Sequence, residues 1–324
     1  MKVFEKLKEV ALQKKRTIIF PEGNDERILK AAARIQADGY ANAQVAGKTS
    51  EILEVAQKNN INLGDVSIID VEKYPHLEKM TQDLVELRHG KATLEQAKEM
   101  LKTPPYFGTM MVYEGYADGM VSGATHSTAD TVRPALQIIK TKPGMTRVSG
   151  AMIMERESEK YIFADCAINI DPDSETLAEI AYQSARTAKM VNIDPKVAML
   201  SFSTKGSAKG PMVTKVQDAV KIMNEKHPEI LCDGELQFDA AIVPKVGKAK
   251  APNSKVAGHA NVFIFPELQS GNIGYKIAER LGGFQAIGPV LQGLAAPIND
   301  LSRGCNTEDV YLLGILTAAQ ANME

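Results

Sequence analysis

The stretch that decides the fold class is Thr17-Ile18-Ile19-Phe20-Pro21-Glu22-Gly23-Asn24-Asp25-Glu26-Arg27-Ile28-Leu29-Lys30-Ala31-Ala32-Ala33. Residues 17–20 are β-branched or apolar and read as a strand. Pro21 to Asp25 end it with turn chemistry, and from Glu26 to Asp38 the apolar residues fall at helical spacing. A second strand follows at Gln44–Ala46, so the unit is strand, helix, strand. The pattern continues: strands at Val66–Asp70 and Met120–Ser122, with helices at Ser50–Asn59, Leu77–His89 and Thr93–Lys102. The second half repeats it, with strands at Val148–Met154, Tyr161–Asp165, Val197–Ser201, Val262–Phe265 and Phe284–Ile287. Its helices fall at Ser174–Met190, Met212–Lys226 and Ile273–Leu281. Such alternation predicts parallel sheets with helical crossovers, an α/β architecture. Phe20-Pro21-Glu22 recurs as Phe265-Pro266-Glu267 after another strand, a coincidence that common strand–Pro–turn chemistry explains.

A chain of 324 residues is long enough for two domains. The segment Lys140–Met145 is the best linker, and Gly and Pro accumulate again around Gly288–Pro297. The formal net charge of −2 gives no reason to expect nucleic acid or a membrane as partner. An anionic ligand would have to be held by local arginines and helix ends. Cys166, Cys232 and Cys305 are widely spaced and odd in number, which argues for a reducing compartment, without disulfides or a zinc site. The amphipathic start MKVFEKLKEVALQKK reads as a surface helix rather than a signal peptide, and no apolar run is long enough to span a membrane. The expected location is the cytoplasm.

Two loops carry the chemistry. Ser302-Arg303-Gly304-Cys305-Asn306-Thr307-Glu308-Asp309 packs a hydroxyl, a guanidinium, a thiol and a carboxylate ahead of an apolar helix, Val310–Ala321. Asn306 and Asp309 form a capping-box pattern, so the cluster sits at a helix start, where free N–H groups favour anions. A capping role alone would also explain Asp309, and Cys305 is equally explained as a small buried thiol. The second loop, Ser122 to Arg133, follows a strand, and Pro134 fits the first turn of the next helix. That places Arg133, with Ser127 and Thr128, beside a helix N-terminus suited to a phosphoryl group, although a hydroxyl-rich capping loop accounts for the same residues.

Other features point away from familiar sites. Ser201–Pro211 is not a P-loop, because Pro211 stands where the lysine is needed. It reads as a mobile rim loop or a solvated one. There is no GxGxxG. Asp171-Pro172-Asp173-Ser174 reads as a helix start rather than a metal site, and the five histidines lack ligand spacing, so no metal is expected. The residues alone support an anion-binding α/β enzyme acting on a phosphorylated substrate.

Several long strings carry a resemblance that runs nearly end to end. They are FPEGNDERILKAA (20–32), SGATHSTADTVRPALQIIKTKPG (122–144), FADCAINIDPDSETLAEIA (163–181), SFSTKGSA (201–208), NSKVAGHANVFIFPELQSGNIGYKIAERL (253–281) and PINDLSRGC (297–305). Together they resemble the phosphate acetyltransferase (phosphotransacetylase) family. The resemblance implies two α/β domains with a central cleft, in the isocitrate/isopropylmalate dehydrogenase-like fold. Residues 1–145 with 298–324 would form the first domain, and 146–297 the second, the dimerisation domain of a homodimer. It implies reversible acetyl transfer, acetyl-CoA plus phosphate giving CoA plus acetyl phosphate, without a covalent enzyme intermediate and as part of acetate metabolism. CoA or acetyl-CoA and phosphate or acetyl phosphate are then the partners. No cofactor is tightly bound, and monovalent-cation activation stays open.

By the same resemblance Asp309 is the base for the CoA thiol, Ser302 hydrogen-bonds the reacting centre, and Arg303 grips acetyl phosphate. Ser127, Thr128 and Arg133 hold the phosphoryl group, and Arg88 contacts a CoA phosphate. A thiol near pKa ~8.5 and an aspartate near ~4 make full proton transfer uphill by about 6 kcal/mol. Proton loss must therefore be concerted with attack, or the thiolate stabilised by Ser302 and Arg303. Phosphate butyryltransferase and a non-catalytic acyl-CoA-sensing domain are the alternatives.

Overall fold

The computed structural model describes residues 3–323. They fall into two compact units: residues 4–143 with 294 onward, and residues 144–293.

The unit built from residues 4–143 and 294 onward begins with α1 (Val3–Ala11), β1 (Arg16–Phe20), α2 (Glu26–Asp38), β2 (Ala41–Gly47), α3 (Thr49–Lys58), β3 (Ser67–Asp70), α4 (Leu77–Leu87), α5 (Leu94–Leu101), α6 (Pro104–Tyr113), β4 (Gly119–Ser122) and α7 (Thr128–Pro134). The last strand and helix of the chain, β11 (Ile298–Asp300) and α13 (Thr307–Met323), return to it from the far end of the sequence. Its five strands run in the order β11-β4-β1-β2-β3, and every pairing is parallel. Between β1 and β4 the chain reverses its direction of travel across the sheet. Ligands of open parallel sheets collect beyond the strand ends at such a reversal. Asp25 caps α2, and Ile28, Leu29, Ala32 and Ile35 form its buried stripe.

Helix α6 is absent from the sequence reading because Pro104, Pro105 and Gly108 look like loop residues. The prolines occupy the first turn, where their missing N–H groups cost nothing. Gly108 lets the backbone lie on the sheet: a Cβ there would stand 2.5 Å from Met120 Sδ. Strand β11 escapes the sequence pattern as well, being three residues long with buried Asn299 and Asp300 among them.

Pro134 departs from expectation. It closes α7 rather than opening a helix, and the next turn widens to π form over Ala135–Ile139. Ser127 caps α7 in a capping box with Asp130, so the helix starts upstream. The wider turn accommodates the ring and the missing donor. Arg133 therefore lies in the last turn of α7, not beside its start.

The other unit contains β5 (Ser149–Arg156), β6 (Glu159–Ala164), α8 (Ser174–Met190), β7 (Lys196–Leu200), α9 (Pro211–Lys226), β8 (Leu231–Leu236), α10 (Phe238–Ile242), α11 (Pro244–Lys250), β9 (Val262–Ile264), α12 (Leu268–Arg280) and β10 (Gln285–Gln292). Its sheet, ordered β10-β5-β6-β9-β7-β8, is mixed rather than parallel. Only Glu157 and Ser158 join β5 to β6, too few residues for a crossover, so this pair is a hairpin. Phe163, Phe263 and Phe265 centre its core. Asp173, not Asp171, caps α8, and Asp171 pairs with Lys215. Buried Asp165 accepts from the backbone N–H groups of Ala167, Ile168 and Asn169 and so closes a loop. The Ser201–Pro211 segment is anchored by buried Glu235, which accepts from Ser203 Oγ at 2.9 Å and Gly206 N at 2.7 Å.

Candidate active site

Three loops meet where β1, β4 and β11 end. Glu22 follows β1, Gly123–Ser127 follows β4, and Leu301–Asn306 leads from β11 into α13. Glu22 is 1% exposed. It accepts from three successive backbone N–H groups, those of Gly123, Ala124 and Thr125, at 2.8, 2.9 and 2.9 Å. The Thr125 hydroxyl and His126 Nδ1 add contacts at 2.7 Å each. Burial alone would raise its pKa, but these bonds, led by His126, hold the carboxyl below its usual range. The loop after β4 is thus wrapped around a buried anion. Gly123, at φ 110°, has to be glycine, since a Cβ would collide with the Asp300 carboxyl and lie 2.7 Å from Leu301 O.

Arg27 ties the loops together. Its guanidinium pairs with Asp25 through two nitrogens at 3.0 and 2.7 Å. Its remaining donors reach Ala124 O, Arg303 O and Cys305 O, each at 2.9 Å. One planar cation therefore joins the loop after β4 to the loop after β11.

Within this frame Ser302 and Arg303 are exposed. Ser302 shapes a turn, its oxygens accepting from Gly304 N and Cys305 N. Arg303 is held through its carbonyl, and its guanidinium makes no hydrogen bond or ion pair among the described residues. Asp309 forms a reciprocal capping box: Oδ2 accepts from Asn306 N at 2.9 Å, while Asp309 N donates to Asn306 Oδ1 at 3.0 Å. Cys305 is buried, and burial pushes its thiol up to about 11 against the opposing pull of Arg27. At neutral pH it is a thiol, not a thiolate, and not a ready nucleophile.

Ser127 and Thr128 already use their hydroxyl protons. Ser127 donates to Asp130 Oδ2, and Thr128 to Asp300 Oδ2, both at 2.6 Å. Asp300 is fully buried beneath them, and burial, helped by the charge of Glu22, pushes its carboxyl up to about 7.

A second cluster lies in the same unit. Tyr106 on α6 donates to Gln137 Oε1 at 2.7 Å. Burial raises its phenol pKa, while the charges of Arg88 and Arg133 oppose that rise. Neither arginine has a hydrogen-bonding side-chain partner among the described residues, and Arg88 Nε is buried without one. Arg88 also lines a cavity of about 470 Å3 with Lys91, Glu95, Gln96 and Met100. Glu22, Arg27, Tyr106, His126 and Asp300 are the residues sequence reasoning passed over. Glu22, Arg27, His126 and Asp300 lie in strings already singled out, but nothing local marked them for a role, and Tyr106 lies in none of those strings.

A family model described as phosphate acetyl/butaryl transferase matches residues 2–318. A phosphate acetyltransferase of Bacillus subtilis (strain 168) is 59% identical, with 98% of this chain and 99% of that protein aligned. The structure of a phosphotransacetylase from Streptococcus pyogenes superimposes with a TM-score of 0.95 at 57% identity, covering 99% of this chain and 98% of that one. A structure from Salmonella typhimurium, described as that of a 4-hydroxythreonine-4-phosphate dehydrogenase, shares the fold alone. There the TM-score is 0.57 at 14% identity, with coverages of 94% and 99%.

Proposed function

The chain belongs to the phosphate acetyl/butyryl transferase family, and on that premise we propose how its residues carry the reaction. It transfers an acetyl group reversibly between CoA and phosphate. The observation that carries the assignment of residues is the Arg27 bridge, because it joins the two loops that contain Ser302, Arg303, Ser127 and Thr128.

Arg303 and Arg133, whose guanidinia have no hydrogen-bond partner among the described residues, grip the phosphoryl oxygens. Arg88 and its cavity take a phosphate-bearing part of CoA. Ser127 and Thr128 shape the phosphoryl-facing loop through their bonds to Asp130 and Asp300. Asp309 accepts the thiol proton as sulfur bonds to the acetyl carbon. Its capping bond uses one carboxylate oxygen and leaves the other available. Ser302 and Arg303 lower the cost of the charge that develops. The protonated state of Cys305 fits direct attack by CoA rather than an acyl-enzyme.

The chain acts without a tightly bound cofactor, in the cytoplasm, as a homodimer. Three free cysteines fit a reducing compartment. For the dimer, α12 and the residue after it present Ile273, Ile277 and Leu281 at 56%, 53% and 85% exposure, an apolar stripe at four-residue spacing. We assign a second copy of the chain to cover it.

The test is thioester formation from CoA with acetyl phosphate or butyryl phosphate as donor, in the presence of EDTA. Acetyl-CoA should form rapidly and butyryl-CoA slowly. Turnover with butyryl phosphate only, or none without a divalent metal, would overturn the assignment.

A further inference from the structure

We propose that His126, oriented by buried Glu22, is the proton-transfer group for the phosphate side of the reaction. The proposal rests on the acetyltransferase reading above. Attack of CoA on acetyl phosphate forms an S–C bond and breaks the C–O bond to phosphorus-bound oxygen. The S–H proton goes to Asp309. The departing group would leave as the strongly basic phosphate trianion unless its oxygen is protonated. The balanced step therefore needs an acid that delivers one proton there, giving HPO4(2−). In reverse the same group must remove a proton from HPO4(2−) as it attacks acetyl-CoA. Between turnovers the proton on Asp309 returns to the imidazole through solvent. An aspartate suits one direction poorly, whereas an imidazole changes state near neutrality and serves both.

Geometry singles out His126. Its Nδ1 lies 2.7 Å from Glu22 Oε1. That carboxylate is ionised, since its pKa is held down, and it can only accept. Nδ1 must therefore carry the hydrogen, which leaves Nε2, on the far edge of the ring, as the exchangeable site. Nε2 has no hydrogen-bond partner among the described residues, and the side chain is 28% exposed, whereas that of Glu22 is completely buried. A buried carboxylate fixing the tautomer of a half-exposed imidazole is the arrangement a proton carrier requires. The pair also stands in the right place. His126 lies four residues beyond Ser122, and Arg303 three beyond Asp300, and Ser122 and Asp300 are register partners at the ends of adjacent strands. The Arg27 bridge holds the two loops in that relation. The charged groups facing the ring are Glu22 at the end of β1 and Asp130 on α7. Arg27 on α2 and Asp300 on β11 act on it through Glu22.

The experiment measures kcat and KM in both directions for wild type, His126→Ala and His126→Gln. Both variants should lose roughly 100-fold or more in kcat, within the range of general acid–base catalysis, with KM for acetyl phosphate little changed. Added imidazole should restore His126→Ala in proportion to its concentration, and the pH profile of kcat should change shape in both variants before rescue. A kcat within about threefold of wild type would overturn the proposal. So would a loss without imidazole rescue and with an unaltered pH profile, which would mark a structural role. An inactive wild type would instead refute the acetyltransferase reading itself.

Discussion

The substitution Asp300→Asn should change the way this protein's stability responds to pH. The Asp300 carboxyl is fully buried, and its pKa rises from 3.8 to about 7. The shift is about 3 units, and each unit corresponds to about 1.4 kcal/mol, so ionising Asp300 costs the folded state about 4 kcal/mol. The sign follows from proton counts. Between pH 3.8 and about 7 the folded chain keeps a proton on Asp300 that the unfolded chain has released. Stability from this group is complete below that window, falls by about 1.4 kcal/mol per pH unit across it, and is flat above.

The amide side chain of the variant cannot ionise. The difference in unfolding free energy between variant and wild type should therefore move in the variant's favour by about 4 kcal/mol between roughly pH 4 and 7.5. A constant offset is expected on top. Thr128 can still donate to the amide oxygen, but an amide nitrogen at the position of Oδ1, which has no partner, costs about 1–3 kcal/mol at every pH. Urea unfolding followed by far-UV circular dichroism at several pH values measures the difference, since the chain has no tryptophan. Parallel stability–pH curves for the two proteins would refute the reasoning. Asp300 would then be ionised in the folded state across the range, or exposed to water.

Two further perturbations test the frame and the assembly. Arg27→Ala removes the donors to Ala124, Arg303 and Cys305 and leaves the Asp25 carboxylate with its helix-capping bond but no counter-charge. Unfolding free energy should fall by about 2–4 kcal/mol. With the loops misplaced, kcat/KM should fall on the order of 100-fold. Arg27→Lys should rescue little, because a point charge cannot serve both loops. Unchanged kinetics in either variant would show that the bridge does not position the site. Ile277→Lys places a charge in the exposed stripe of α12, so light scattering should give monomers for the variant and, under the proposed assembly, dimers for the unchanged chain. A variant that remains dimeric would move the interface elsewhere.

The α/β class is legible because strand and helix periods are local, and the Thr17–Asp38 unit shows both without tertiary help. What stays illegible depends on partners remote in sequence. Phe-Pro-Glu occurs twice, and the two glutamates serve different ends. Glu267 caps its own helix, accepting from Gln269 N and Ser270 N. Glu22 instead organises a loop a hundred residues away. The shared tripeptide does not distinguish them; the parallel pairing of β1 with β4 does. Pro134 shows the converse. The usual rule puts it at a helix start, but the Ser127–Asp130 box has already begun the helix, and one π turn absorbs the proline.

The same contrast explains why some candidate residues are readable and the residues behind them are not. Arg303, Arg133 and Arg88 stand near breaks in periodicity, and their guanidinia have no hydrogen-bonding side-chain partner among the described residues. A group meant for a ligand must be left unsatisfied, so it stands out in sequence as a charge without an obvious local partner. The groups that position it must be satisfied, and usually by backbone. Arg27 bonds to three carbonyls and Glu22 to three amides, and backbone atoms carry no sequence signal. Removing a free arginine should therefore cost activity with little stability, whereas removing Arg27 should cost both. Asp300 belongs with Arg27 and Glu22. It is fully buried and bonded to Thr128, so it is engaged within the fold as they are.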